Sequence, residues 1–259
     1  MAKSRNSGVT SKTNQATQIR TPPPLPPQQQ QQAPQQVAVP ANLQQDDDDF
    51  HIANAQDEAN ILAVNQAYDR AMRAAQTVYR SQQQDAAGYT PSQNMNHVLA
   101  LQGPQALDPQ QAQVYSTLMQ NMKPLGSNLI LNRATHSGII DKILRQAGVS
   151  GGYQTLSDSR LNAMLTGVEY NDDKFVSTAW DVNRNPFITG APSGGREVYM
   201  NIKAPSWTPY VVGDKYEAEC VLQPGLRYRI TGAHFDNTIA YPRNGGAKKR
   251  IIVDCEIIP

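Results

Sequence analysis

Apolar side chains recur every three or four residues between residues 53 and 83, which is the spacing of one face of an α-helix. Gly88 and Pro91 interrupt the pattern further along the chain. The spacing predicts a long amphipathic helix, and the positions of its buried stripe are Ile61, Val64, Tyr68, Met72, Ala75 and Tyr79.

Two shorter helices are predicted after this one. The first covers residues 92–101. The second begins at Asp108-Pro109, a pair typical of a helix N-cap and its first helical position, and it ends before Pro124. The apolar positions are Met95, Val98, Leu99 and Leu101 in the first helix, and Val114, Leu118, Met119 and Met122 in the second.

From residue 128 onward the pattern changes to short β-prone runs, and Val198, Met200 and Ile202 alternate with polar residues. Two more helices are predicted over residues 137–147 and 157–165. Helices followed by mostly antiparallel strands favour an α+β fold over a doubly wound sheet. The predicted strands are 128–133, 175–180, 196–203, 219–222, 228–233 and 251–258.

The first 50 residues differ from the rest of the chain in composition. They contain a proline-rich stretch at 22–27, a glutamine run at 28–32 and four aspartates at 46–49. Too few apolar side chains are present to offset the entropy of ordering, which predicts a disordered tail. We therefore divide the chain into a tail (1–50), a helical region (51–125) that leads into the core, and the core itself (126–259).

Composition narrows the classes of function. The 259 residues carry a formal net charge of +1, which gives no strong signal for binding to nucleic acid or a membrane. Cys220 and Cys255 lack the spacing of metal ligands, so we expect no metal site. We also expect neither a transmembrane segment, because no apolar stretch is long enough, nor a signal peptide, because the start of the chain is polar.

Glu217 and Glu219 are the first candidates for chemistry. If both lie in an extended strand, residues two positions apart point to one face, so both carboxylates would enter the same space. Like charges at that distance disfavour joint ionisation, and a functional site is one reason to place them together. The same pattern also occurs on solvated strand faces, so the pair by itself decides little.

Two further groups precede the glutamates. Arg133 ends one predicted strand, and Ser177-Thr178 lie in another. This order and its flanking sequence resemble the Arg–Ser–Glu class of mono-ADP-ribosyltransferases, the group that includes clostridial exoenzymes, actin-modifying binary toxins and phage-encoded transferases. The resemblance covers residues 115–259, and the segments that carry it are 118–133, 175–178, 198–205, 217–222 and 225–230.

The resemblance implies split antiparallel β-sheets and NAD as co-substrate. Glu219 would stabilise the oxocarbenium-like ribose of NAD, and Ser177 would orient Glu219. Arg133 would hold the pyrophosphate through its forked guanidinium. Glu217 would meet the acceptor, and in this family a glutamate at that position goes with arginine acceptors.

The resemblance also assigns residues at the edges of the site. Thr178, Arg184 and Phe187 would contact NAD, with Arg184 on phosphate and Phe187 stacking. The loop 205–216 would face the protein substrate and present exposed aromatic side chains to it. These substrate contacts would be Trp207, Tyr210 and Tyr216.

Simpler interpretations exist for several of these residues. Arg133 alone would be interpreted as a salt-bridge arginine, and Trp207 and Tyr210 as side chains packed under a loop. His136 lies three residues after Arg133, but the family needs no histidine there. Two positions depart from the family pattern, since Ala134 replaces a glycine and Ala179 replaces a serine or threonine.

Together these observations predict a monomeric mono-ADP-ribosyltransferase that modifies a protein of a host or target cell, on arginine. Delivery by a phage particle or a bacterial injection system would fit the tail. The first alternative is an NAD glycohydrolase, in which water is the acceptor. The second is a catalytically inactive particle or adaptor protein with this fold.

Overall fold

The computed structural model describes residues 49–185, 196–241 and 246–259. Six α-helices are present in these ranges. They are α1 (Ala55–Gln66), α2 (Arg70–Tyr79), α3 (Pro91–Gln102), α4 (Pro109–Gln120), α5 (Gly138–Gln146) and α6 (Asp158–Leu165). The predicted tail lies almost entirely outside the described residues.

Nine strands form one hydrogen-bonded sheet in the order β1-β6-β7-β4-β2-β5-β9-β8-β3. All of the pairs are antiparallel except β5 with β9. The strands are β1 (Lys123–Pro124), β2 (Leu129–Thr135), β3 (Glu169–Asp172), β4 (Val176–Ala179), β5 (Val198–Ala204), β6 (Pro209–Val212), β7 (Glu219–Leu222), β8 (Leu226–Ala240) and β9 (Lys248–Ile258).

The sheet has two parts that meet between β2 and β4. One part contains β1, β6, β7 and β4, and the other contains β2, β5, β9, β8 and β3. At the junction the register contains a single pair, Asn132 with Ala179, whereas β2 pairs with β5 along its whole length. The predicted α+β class is confirmed, and this narrow junction lets the two parts open a cleft between them.

The long helix predicted over residues 53–83 is two helices. Asp69 interrupts it, because its carboxylate accepts a hydrogen bond from the Met72 N–H at 2.8 Å and so caps a new helix. The predicted apolar stripe is nonetheless largely correct, since Ile61, Met72 and Tyr79 are buried. The side chain of an N-cap residue can therefore divide a helix without changing the face that it buries.

Aromatic contacts fix the helices to the sheet near β4. The Tyr79 ring of α2 meets the Phe175 ring edge-on, with 5.5 Å between centroids, and the Tyr115 ring of α4 lies 5.7 Å from the same ring. The Phe175 N–H also donates to the Asn96 side chain of α3 at 3.1 Å. Three helices from the first half of the chain thus converge on the residue that precedes β4.

Candidate active site

A cavity of about 220 Å³ opens at the ends of β2, β4 and β7. A second cavity of about 340 Å³ adjoins it, and the two share Arg133, Thr135 and His136 in their walls. Together they make an elongated cleft suited to an extended ligand. Residues that line the first cavity include Arg133, Ala134, Ser177, Thr178, Ala179, Asn185, Arg196, Glu217 and Glu219.

Glu219 is held by hydrogen bonds to both of its carboxylate oxygens. Ser177 Oγ donates to Oε1, and the Asp214 N–H donates to Oε2 at 2.9 Å. The first contact follows from the register of β4 and β7, in which Ser177 and Glu219 are diagonal neighbours on one face. The orientation of Glu219 by Ser177, expected from the family resemblance, thus has a direct geometric basis.

Gly213 makes room for the Glu219 side chain. A Cβ atom at position 213 would overlap the Glu219 carboxylate. The backbone of the same segment is also close, since the Gly213 N–H donates to the Glu219 carbonyl at 2.8 Å. Position 213 requires glycine because the Glu219 side chain approaches the backbone so closely. No pattern in the sequence pointed to this requirement.

Glu217 lies in a turn and lines the cavity from there. The expectation that Glu217 and Glu219 lie on one face of the same strand is therefore wrong. The strand β7 begins only at Glu219, and Ala218 between the glutamates has a φ of 53°, in the left-handed region. Glu217 is exposed. Partial burial raises its pKa, as do the charges of Glu219 and Asp214, while Arg80 opposes them.

Arg133 lies in β2 and its side chain is largely buried. Its NH1 group donates to Asp172 Oδ2 at 3.0 Å, and Lys174 Nζ lies 2.6 Å from the other oxygen of that carboxylate. Burial lowers the pKa of Arg133, but the Asp172 carboxylate and the phenols of Tyr228 and Tyr170 outweigh it, so the pKa is raised. The guanidinium is therefore a fixed cation in the wall shared by both cavities.

The three other residues expected to contact NAD are not placed as Arg133 is. The Thr178 side chain is buried, and its hydroxyl donates to the Cys220 carbonyl at 2.9 Å, which ties β4 to β7. Arg184 binds Glu58 at 2.7 Å and Asp181 at 2.9 Å and lines neither cavity. Phe187 lies outside the described residues. Direct contacts of these residues with NAD stay predictions.

The three residues expected to contact the protein substrate differ in how far they are buried. Tyr210 is fully buried in β6, so the expectation that it is exposed is wrong: its position pairs with Lys123 and Leu222 inside the sheet. Trp207 is half-buried and packs against the core. Tyr216 is 76% exposed and sits beside Glu217 in the turn. Tyr216 is thus the most exposed of the three, and contact with a target protein stays a prediction.

Several residues of the cleft were not predicted. Asp172, the partner of Arg133, lies in β3, which the sequence pattern did not reveal; its only signal was the acidic pair of Asp172 and Asp173. His136 lines both cavities, and its Nδ1 lies 3.0 Å from Glu197 Oε2 while Arg196 donates to Nε2. The sequence pattern assigned no role to His136.

Within residues 49–185, 196–241 and 246–259, no group of three or more His, Cys, Asp or Glu side chains is arranged to hold a metal ion. None of the helices described above has the length and apolar character needed to cross a membrane.

Several solved ADP-ribosyltransferases are similar to this structure. An ADP-ribosyltransferase toxin from Paenibacillus larvae matches with a TM-score of 0.56 and 14% identity over 79% of this chain and 94% of its own. An ADP-ribosyltransferase from Clostridium botulinum matches with a TM-score of 0.54 and 13% identity over 82% of this chain and 100% of its own.

The C3 exoenzyme of Clostridium limosum gives a similar result, with a TM-score of 0.54 and 16% identity over 82% of this chain and 98% of its own. No family model and no curated sequence matches this chain. At these identities the likeness shows the fold alone. The protein therefore has the ADP-ribosyltransferase fold.

Proposed function

We propose that this protein is a mono-ADP-ribosyltransferase of the Arg–Ser–Glu class, which transfers ADP-ribose from NAD to arginine on a target protein and releases nicotinamide. One observation carries the proposal: Arg133, Ser177, Glu217 and Glu219 line a single cavity, and Ser177 is hydrogen-bonded to Glu219. These residues come from three strands and a turn, and a set of incidental surface residues would have no reason to converge.

Glu219 stabilises the charge that develops during the reaction. When the bond between nicotinamide and ribose breaks, nicotinamide leaves with the bonding electrons and the ribose becomes cationic. A carboxylate whose two oxygens are already oriented by Ser177 and the Asp214 N–H can meet this charge without reorganising.

Arg133 binds the pyrophosphate of NAD in this proposal. The guanidinium has five N–H donors, and Asp172 engages NH1 at 3.0 Å. The forked geometry suits phosphate oxygens, and the ion pair with Asp172 fixes the orientation in advance. The adjoining second cavity, lined in part by Lys142 and Lys174, then receives the rest of the dinucleotide.

Glu217 acts on the acceptor. It lies at the cavity mouth beside the exposed Tyr216, so an incoming side chain meets it before reaching Glu219. The carboxylate accepts a hydrogen bond from the arginine guanidinium and takes a proton from it as a guanidinium nitrogen bonds to C1′ of the ribose. The raised pKa of Glu217 suits this role as a base.

Labelled NAD tests the proposal. The full chain is incubated with labelled NAD and target-cell lysate beside the variants Glu219→Gln and Glu217→Gln. We expect Glu219→Gln to lower all NAD cleavage by about 10² to 10³-fold, as for the loss of one electrostatic stabiliser. We expect Glu217→Gln to abolish protein labelling and keep nicotinamide release.

The outcomes separate the alternatives. A label released by hydroxylamine supports arginine linkage, whereas a stable label contradicts the arginine acceptor. Free ADP-ribose without protein labelling supports an NAD glycohydrolase. The absence of any NAD cleavage by the wild-type chain refutes the enzyme and favours an inactive protein with this fold.

A further inference from the structure

Helix α2 and its C-cap residue Arg80 are bonded to the segment that precedes the glutamates. Gln76 Nε2 donates to the Val212 carbonyl, and Arg80 NH1 donates to the Gly213 carbonyl at 3.3 Å. Arg80 NH2 forms an ion pair with Asp214 Oδ2. Three consecutive residues at the end of β6 and after it are thus attached to one helix.

The same segment holds Glu219. The Asp214 N–H donates to Glu219 Oε2 at 2.9 Å, and the Glu219 N–H donates to the Asp214 carbonyl at 2.8 Å. Asp214 therefore connects Arg80, through its side chain, with the Glu219 carboxylate, through its backbone. A shift of Asp214 would change the direction of that carboxylate.

Energetics argue against a purely stabilising role for this contact. The Arg80 and Asp214 side chains are 38% and 23% exposed, so their ion pair is expected to add little to the free energy of unfolding. The geometry, by contrast, is specific, since two N–H groups of one guanidinium reach two successive residues. Such a two-point contact fixes the position of residues 213 and 214 more than it stabilises the fold.

We propose that Arg80, the C-cap residue of helix α2, is a positioning residue that sets the Glu219 carboxylate through Asp214. This inference rests on the proposed function of Glu219. It assigns a role in catalysis to the helical region, which the sequence pattern presented only as a segment leading into the core.

Arg80 also influences Glu217. Among the charged groups that face Glu217, Glu219 and Asp214 raise its pKa and Arg80 lowers it. Removal of the Arg80 charge should therefore raise the pKa of Glu217 further. A loss of packing alone would not produce this effect.

The test compares Arg80→Ala and Arg80→Lys with Arg73→Ala. Arg73 is the matched control, because it lies on the same helix but donates to the carbonyls of Tyr68 and Gln66 within the helical region. Three measurements are made: hydrogen–deuterium exchange of the segment 212–219, kcat and KM for NAD cleavage, and the rate of protein labelling across pH.

We expect Arg80→Ala to speed exchange over 212–219 several-fold and to lower kcat by about tenfold or more, since small displacements of a catalytic group have large effects. KM for NAD should stay within about twofold, because Arg133 is untouched, and the acidic limb of protein labelling should move to higher pH. Arg80→Lys should recover part of kcat, and Arg73→Ala should match the wild type.

Exchange tests the inference independently of turnover. Unchanged exchange in Arg80→Ala, or an equal effect in Arg73→Ala, overturns the positioning role even if the enzyme is active. Faster exchange combined with unchanged kcat also overturns it. A wild-type chain that does not cleave NAD refutes the proposed function, and with it the catalytic part of the inference, while the exchange data still report whether Arg80 holds the segment.

Discussion

Glu217 and Glu219 are two residues apart and chemically identical, yet their surroundings differ. Glu219 accepts hydrogen bonds from Ser177 and the Asp214 N–H, which fix the positions of both of its carboxylate oxygens. Glu217 is exposed in a turn and its pKa is raised. These surroundings fit the two proposed roles, in which Glu219 faces the ribose cation and Glu217 exchanges a proton with the acceptor.

The raised pKa of Glu217 predicts how labelling depends on pH. A carboxylate accepts the acceptor's proton only when ionised, so protein labelling should fall as the pH drops through a value above the ordinary 4.5. Nicotinamide release by Glu217→Gln should show no such fall at acidic pH. Protein labelling by the wild type and nicotinamide release by Glu217→Gln, both measured from mildly acidic to slightly alkaline pH, check the prediction. Parallel pH profiles of the two rates would contradict it.

The same shift predicts a stability effect of defined sign. A carboxyl whose pKa is higher in the folded state binds protons more tightly there, so its ionised form destabilises the fold. Glu217→Gln should therefore raise Tm at neutral pH, and the difference should vanish below the ordinary pKa of 4.5. Differential scanning fluorimetry at several pH values measures it.

At the scale of elements, the segment between β6 and β7 sets the positions of the two glutamates. It is bonded to α2 through Arg80, and it supplies the Asp214 N–H that holds Glu219. The left-handed Ala218 then turns the chain so that Glu217 leaves the strand direction. A regular hairpin without this turn would place the two glutamates side by side on one face.

Gly213→Ala tests this segment. The added methyl group would displace the Glu219 carboxylate from the Asp214 N–H, so we expect kcat for NAD cleavage to fall by about 10²-fold with little change in KM. Gly246→Ala is the control, because a Cβ atom there meets nothing within 4 Å. Equal activity of the two variants would show that Glu219 does not depend on the close approach.

At the scale of the whole molecule, an ion pair spans one part of the sheet. Arg133 is in β2 and Asp172 is in β3, the two outer strands of the part ordered β2-β5-β9-β8-β3. Their contact requires the sheet to curl strongly, and the side chains are only 15% and 9% exposed. The curvature that shapes the cleft is thus coupled to the residue proposed to bind pyrophosphate.

Asp172→Asn should therefore destabilise the whole domain. Removal of one partner leaves a buried cation, which typically lowers the free energy of unfolding by about 3 kcal/mol. Urea unfolding measures the loss, with the neighbour Asp173→Asn, which is exposed, as control. Addition of Arg133→Met to Asp172→Asn should recover part of the stability, because it removes the unpaired charge; a further loss would contradict this account.

Local patterns were sufficient to predict most elements. Helical spacing located α3 and α4 closely, and alternation located β5, because burial of one face imposes a period on the sequence. Strands β1, β3 and β6 were missed, since β1 and β6 each begin at or contain a proline and β3 is largely polar, so none has the composition typical of a strand. The division between α1 and α2 was missed because a single side chain, Asp69, causes it.

The fold class and the order of Arg133, Ser177 and the glutamate pair could be predicted without coordinates, since the first follows from local periodicity and the second from the order of residues in the chain. The three-dimensional structure was needed to show that Tyr210 is buried, that Asp172 pairs with Arg133, and that Arg80 reaches the segment before Glu219. The last two contacts join residues 39 and 134 positions apart. No local period encodes such contacts, because they depend on how the curled sheet and its helices close around the cleft.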